Sequence, residues 1–191
     1  SSDLERCRGQ SAAAILGAML LRAILVLLVS LAAVPLAANA QQARPGDVVT
    51  GPARVTDSDK MVVNGIYILL WGVDGPEKGQ PCYLNRQLYD CHSVALRELQ
   101  IITEQGPVRC TIESDPSRLR RGRIYGTCVT RDGKDVAEQL VRAGHALAFV
   151  EQTDKYKAAE AAAEADKVGL FRGTFLEPWV FAQSITGANQ P

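Results

Sequence analysis

Met61-Val62-Val63-Asn64-Gly65-Ile66-Tyr67-Ile68-Leu69-Leu70-Trp71-Gly72-Val73 is the stretch on which the fold class turns. Two apolar runs rich in β-branched and aromatic residues flank Asn-Gly, a pair that accepts the positive φ required at both central positions of a type I′ turn. The stretch therefore predicts an antiparallel hairpin, 61–63 against 66–73. Shorter apolar runs at 48–49 and 53–56 lie upstream and add strands. Downstream, 72–84 is rich in glycine, proline and charge and reads as an exposed loop. Val94, Leu96, Leu99 and Ile102 follow at mostly helical spacing before Gly106, which predicts a first helix.

Beyond that helix, 108–112 and 124–130 alternate as strands around an arginine-rich connection with Arg118, Arg120, Arg121 and Arg123. Asp135 followed by Glu138 opens a helix with a capping-box-like pair, and Gly144 stops it. An alanine-rich third helix runs from about 154 to 167 and ends at Gly169. Short strands with helices inserted and appended predict an α+β β-barrel with helices, a five-stranded OB-fold with three helices. OB barrels bind oligonucleotides, oligosaccharides and proteins, so this architecture alone selects no function.

At the N-terminus, Met19-Leu20-Leu21-Arg22 precedes an apolar run over 23–36 and then Ala38-Asn39-Ala40. The charged, apolar, small-residue order is that of a secretory signal peptide, and the run is short for a membrane span of ~20 residues. Residues 1–40 are thus expected to be upstream segment and signal, cleaved after Ala40; an uncleaved anchor is the other reading. Then 41–46 form a linker, 47–182 the domain and 183–191 a tail. No stable membrane insertion is expected after cleavage, and the location is periplasmic or secreted.

The whole chain of 191 residues carries 21 lysines and arginines against 21 aspartates and glutamates. Without residues 1–40 it loses Arg6, Arg8 and Arg22 and two acids, Asp3 and Glu5, leaving 18 positive and 19 negative charges. That balance excludes a long-range basic field, so a polyanion site must be local. Four cysteines remain, Cys82, Cys91, Cys110 and Cys128. In an exported chain an even number points to two disulfides, whereas no C-x-x-C and only two histidines argue against a zinc site. The favoured pairs are Cys82 with Cys91 and Cys110 with Cys128. The second follows if 108–112 and 124–130 form a hairpin.

Three places carry chemistry: Asp57-Ser58-Asp59-Lys60 on the strand entering the hairpin, Gly72-Val73-Asp74-Gly75-Pro76-Glu77 where the paired strand ends, and Gly122-Arg123 in the basic connection. The hairpin folds the first two together, so Asp59 and Asp74 converge and call for a proton or a hard cation such as Ca²⁺ or Mg²⁺. The other reading is that these aspartates only cap turns. Arg123 offers a bidentate guanidinium to a phosphate, or belongs to a solvated cluster that blunts a sheet edge. Tyr67 and Trp71 alternate with Leu69 on one strand face, as core wall or as stacking platform for bases. His92 and His145 read as structural residues, and Trp179 and Phe181 as closing the barrel base.

These strings, with Gln80-Pro81-Cys82 and Gly169-Leu170-Phe171-Arg172-Gly173-Thr174-Phe175, resemble in order and spacing the thermonuclease family of staphylococcal nuclease-like domains, over roughly 48–180. The resemblance implies a five-stranded OB barrel with three helices and a Ca²⁺-dependent phosphodiesterase acting on DNA or RNA, expected to be a monomer. By position it implies one weakly held Ca²⁺ on Asp59, Asp74 and the carbonyl of Gly75, Glu77 as general base, and Arg123 on the phosphate, with Lys60 and Tyr67 as further substrate contacts.

The departures bear on activity. A second catalytic arginine of the family falls at Leu69, which donates nothing to a phosphate. Losing one preorganised donor costs ~10²- to 10³-fold in rate. The usual Asp-Gly-Asp-Thr is here Asp57-Ser58-Asp59-Lys60, so Ser58 is expected to disturb a turn that wants glycine. Lys60 is expected on the face opposite Asp59, as alternation along a strand dictates. Arg54 and Lys78 are candidate replacements for the missing guanidinium. A non-catalytic OB module binding nucleic acid, polysaccharide or a protein partner in the envelope is the alternative function.

Overall fold

The computed structural model describes residues 43–113 and 123–187. The signal peptide, part of the linker, the end of the tail, Cys7, Gly122, and three arginines of the basic connection (Arg118, Arg120 and Arg121) lie outside the described residues.

Strands β1 (Val48–Gly51), β2 (Ala53–Asp57), β3 (Lys60–Val63) and β4 (Ile66–Leu70) come first. Asn64 and Gly65 take φ of 48° and 79°, so the expected hairpin joins β3 to β4. β8 (Val108–Ile112) and β9 (Ile124–Val129) form the second hairpin, with β9 parallel to β4. The sheet order is β1-β8-β9-β4-β3-β2. Its two edges, β1 and β2, are consecutive in the chain with Pro52 alone between them. Six strands laid flat would hold those edges about 24 Å apart, whereas three residues span at most about 7 Å. The sheet must therefore curl until its edges meet at one corner, and a Cβ on Gly51 of β1 would lie 3.5 Å from Asn64 N at the end of β3.

Smaller pieces carry the site segments. β5 (Val73–Asp74) pairs with β10 (Leu147–Ala148), and β6 (Cys82–Leu84) pairs with β7 (Gln87–Tyr89) and β11 (Thr174–Phe175). Helix α1 (Cys91–Thr103) buries Cys91, Ala95, Leu99 and Ile102, one face at helical spacing. Helix α2 (Val136–Arg142) begins at Asp135, whose carboxylate accepts from Glu138 N at 3.1 Å, as its sequence predicts. Helix α3 (Lys157–Ala165) is shorter than the expected span. A 3₁₀ turn (Gly169–Arg172) leads to a fourth helix, α4 (Pro178–Thr186), where three helices were expected. Pro178 sits in its first turn, where its missing N–H costs nothing.

The main core lies inside the curled sheet under α1 and α2: Met61, Val63, Ile68, Leu70, Leu99, Val108, Ile112, Leu140 and Val141 are all buried. Tyr156 is fully buried beside them and its hydroxyl donates to Asp135 Oδ2 at 3.1 Å. Both expected disulfides are present, Cys82–Cys91 and Cys110–Cys128. The latter joins residues directly opposite in the β8–β9 hairpin. Among the described residues no helix is long and apolar enough to cross a membrane.

Candidate functional site

The strand alternation that sends Lys60 away from Asp59 does not hold. The register shifts between Val55 and Asp57, and Ser58-Asp59 form the turn between β2 and β3 instead of continuing a strand. A bulge of this kind re-aims the side chains that follow it. Lys60 Nζ consequently stands 2.7 Å from Asp57 Oδ2 and 3.1 Å from Asp59 Oδ1. On the other side of Asp57, His92 Nε2 lies 2.7 Å from Oδ1, so this histidine of α1 supports the site as well as the helix.

Two contacts fasten this turn, one to the end of β4 and one to the segment 74–77. Leu70 N donates to Asp59 O at 3.0 Å, and Ser58 Oγ donates to Pro76 O at 2.9 Å. Ser58 is buried, and it fastens the turn it was expected to disturb. A Cβ added at Gly75 would meet Ser58 Oγ at 2.5 Å, Ser58 Cβ at 2.9 Å and the Ser58 carbonyl carbon at 3.2 Å. The serine thus fills the space that a larger residue at 75 would need, so Ser58 and Gly75 compensate each other in volume. Gly75→Thr alone is expected to cost about 2 kcal/mol by overpacking. The double change Ser58→Gly with Gly75→Thr should recover most of it, read as a coupling energy in urea melts; additive losses would reject the compensation.

The stretch 72–84 is likewise not an exposed loop. Gly72, Val73, Gly75, Pro76, Gln80 and Cys82 are buried. Gln80 Oε1 accepts from Glu77 N at 3.0 Å while Gln80 Nε2 donates to Leu176 O at 2.8 Å, tying the acidic segment to the chain before α4. The Cys82–Cys91 disulfide adds a covalent tie to α1.

Asp59, Lys60, Tyr67, Asp74, Glu77 and Arg123 all line one cleft of about 530 Å³. Leu69 and Tyr125 lie with them, and Phe149, Trp179 and α4 form the remaining wall. Trp179 packs on Phe149 with ring centroids 5.6 Å apart, so it borders the cleft and is not a plug for the barrel base. In the sheet register Leu69 lies between Lys60 on β3 and Tyr125 on β9. The residue opposite the missing guanidinium is therefore Lys60; Arg54 and Lys78 do not line the cleft.

The acids are closely coupled. Burial pushes the Asp59 carboxyl up against the opposing pull of Lys60. Burial, then the charges of Asp59 and Glu77, raise Asp74 to about 7. Burial also raises Glu77. For Asp57 burial is outweighed by the hydrogen bonds and charge of Lys60 and His92, and its carboxyl falls below the usual range. Lys60 is raised, since the two aspartates outweigh its burial.

The donor set suits a hard cation in part. Asp59 Oδ1 is buried with no well-aligned hydrogen bond, and among the described residues Asp74 makes no ion pair. Yet Lys60 Nζ is 3.1 Å from that same oxygen, and among the described residues no group of three His, Cys, Asp or Glu is arranged to hold a metal. The two carboxylates are of the chemistry a hard cation takes, and the ammonium on Asp59 stands in the way of one.

The chain is 32% identical over 145 residues to the succinoglycan biosynthesis protein ExoI of Rhizobium meliloti (strain 1021), an overlap covering 74% of this chain and 73% of that protein. Residues 67–172 match the model for staphylococcal nuclease homologues, a span holding Asp74, Glu77 and Arg123 but starting after Asp59 and Lys60. The chain belongs to the staphylococcal nuclease homologue family, whose domain is an OB-fold that binds nucleic acids.

Proposed function

We propose that this protein hydrolyses phosphodiester bonds of DNA or RNA in the cleft, at a rate held down by Leu69. The observation that carries the reading is that Glu77, Arg123 and Lys60 line the same cleft as Asp59 and Asp74, which puts a candidate base and two cations around one space. Glu77 is the general base: burial raises its pKa and makes it a better proton acceptor than an exposed glutamate. As the water oxygen bonds to phosphorus, the water proton passes to Glu77. The ester oxygen leaves with the bonding pair and takes a proton from solvent. Arg123 and Lys60 donate to the phosphate oxygens on which negative charge grows. Asp59, Asp74 and the carbonyl of Gly75 would hold a Ca²⁺, which supplies further positive charge to the same oxygens.

Export to the periplasm or medium belongs to the same proposal, supported by two disulfides of the kind that persist where glutathione does not reduce them. A second reading, an OB module that binds without cleaving, is favoured by Leu69, which puts an apolar side chain where a donor is needed. Similarity to a protein named for succinoglycan biosynthesis adds a glycan to the ligands worth offering such a module.

The test is cleavage of a labelled single-stranded oligonucleotide by the purified protein with added Ca²⁺, compared with Glu77→Gln. The proposal expects cleavage that falls by about 10²- to 10⁴-fold in the variant, the range for loss of a general base. Binding with no cleavage would give the second reading, and a variant as active as the wild type would remove Glu77 from the mechanism.

A further inference from the structure

We infer that Lys60 is the resident cation of the acid cluster: its tethered ammonium occupies the position at Asp59 that a divalent ion would take, so the cleft accepts a phosphodiester without metal, and a divalent ion reaches Asp59 only by displacing Lys60. This rests on the reading of the cleft as a phosphodiester site.

The geometry is that of an occupied cation site. The ammonium touches two carboxylates, at 2.7 Å on Asp57 and 3.1 Å on Asp59. The side chains of Lys60 and Asp59 are only 18% and 7% exposed, so salt and water screen their attraction far less than at a surface. Asp57 is gripped from behind by His92, itself carried on a helix pinned by Cys82–Cys91. The Asp57 contact therefore serves as a pivot. When the ammonium leaves Asp59 it keeps Asp57, and it swings over Leu69, the residue directly across the sheet. That is the floor of the cleft, where a phosphate bound by Arg123 lacks its second donor.

Tethering decides the competition. A charge held on the same chain acts at an effective concentration in the millimolar range or above, and any incoming ion must first break its contact with Asp59. The shorter contact is the one to Asp57, 2.7 Å against 3.1 Å to Asp59, so the ammonium keeps a carboxylate partner when it parts from Asp59. Removing the ammonium leaves Asp59, Asp74 and Glu77 on the cleft with Arg123 as the remaining cation lining it among the described residues, a set that attracts a divalent ion more strongly.

The experiment measures Ca²⁺ binding by calorimetry, and binding of a fluorescent single-stranded oligonucleotide by anisotropy in Ca²⁺ or in chelator, for the wild type, Lys60→Met and Lys60→Arg. Wild type and Lys60→Arg are expected to bind the oligonucleotide in chelator about as well as in Ca²⁺. Lys60→Met should lose about tenfold or more of its affinity in chelator, regain it with Ca²⁺, and bind Ca²⁺ about tenfold tighter than the wild type. If Lys60→Met does not fold, Lys60→Gln carries the same expectations, with the rise in melting temperature on adding Ca²⁺ as a second readout. Wild-type binding that requires Ca²⁺, or a variant whose Ca²⁺ affinity is unchanged or weaker, overturns the inference and leaves the hydrolytic reading standing. No oligonucleotide binding by any of the proteins, with or without Ca²⁺, overturns the phosphodiester reading instead, and the Ca²⁺ titrations alone then decide for or against Lys60.

Discussion

Leu69→Arg is expected to raise the turnover of a single-stranded oligonucleotide by roughly 10²-fold, the scale set by one preorganised donor to a developing anion. Leu69 is 6% exposed and lines the cleft between Lys60 and Tyr125, so a longer side chain from that position extends toward the phosphate site and not into the core. Burying a guanidinium there is made tolerable by Asp59 and Asp74 on the same cleft wall. An arginine that acts on the transition state raises kcat more than it lowers KM. A lower KM with kcat unchanged would mean that the new charge only attracts the polyanion, and that the rate of the wild-type protein is limited elsewhere.

Gly169→Ala should be strongly destabilising for a change of a single methyl group. Gly144 and Gly169 both have positive φ, 75° and 53°, and their backbones touch: Leu170 N donates to Gly144 O at 2.8 Å. A Cβ on Gly169 would lie 2.5 Å from the Gly144 carbonyl carbon and 2.6 Å from Ala143 O, backbone atoms that have no rotamer to escape into. Steric conflict and the strained conformation together predict a loss of about 3 kcal/mol or more, a drop of about 10 °C in Tm for a domain of this size. The effect reaches the site, because β10 begins three residues after Gly144 and pairs with the strand that carries Asp74. Melting followed by circular dichroism checks the loss, and a shift under about 3 °C would show that the crossing relaxes freely.

What the sequence made legible was local. Asn64-Gly65 announces its hairpin because two adjacent residues contain the whole turn requirement, and Asp135 announces α2 because its cap is three residues long. The Cys110–Cys128 pair was readable once two flanking strands were, since residues facing each other across a hairpin need no further information. The approach of Asp59 and Asp74 followed from the hairpin that folds their segments together, whereas the gathering of Glu77 and Arg123 with them followed from the family resemblance.

The misses share a cause in contacts between distant parts of the chain. Alternation put Lys60 on the wrong face because a register shift two strand positions earlier leaves no mark in residue type. Residues 72–84 looked like exposed loop because their polar groups are satisfied far away, Gln80 by Leu176, 96 residues on. Ser58 looked like a flaw in a turn that wants glycine; only its packing against Gly75 makes sense of it. The fourth helix went unread because α4 lacks a side-chain cap to mark its start.

The Cys110–Cys128 crosslink spans 18 residues and includes the arginine-rich connection between β8 and β9. β9 is also the strand that must find β4, more than fifty residues earlier in the chain, through a parallel pairing. Searches of that length are slow, because loop-closure entropy is lost before any contact compensates it. An oxidised chain enters the search with β8 and β9 already joined as a two-stranded nucleus, so that one docking event replaces two. A reduced chain must assemble the same ladder strand by strand, exposing apolar edges for longer, which makes the order of oxidation and barrel closure a determinant of yield when this protein is made.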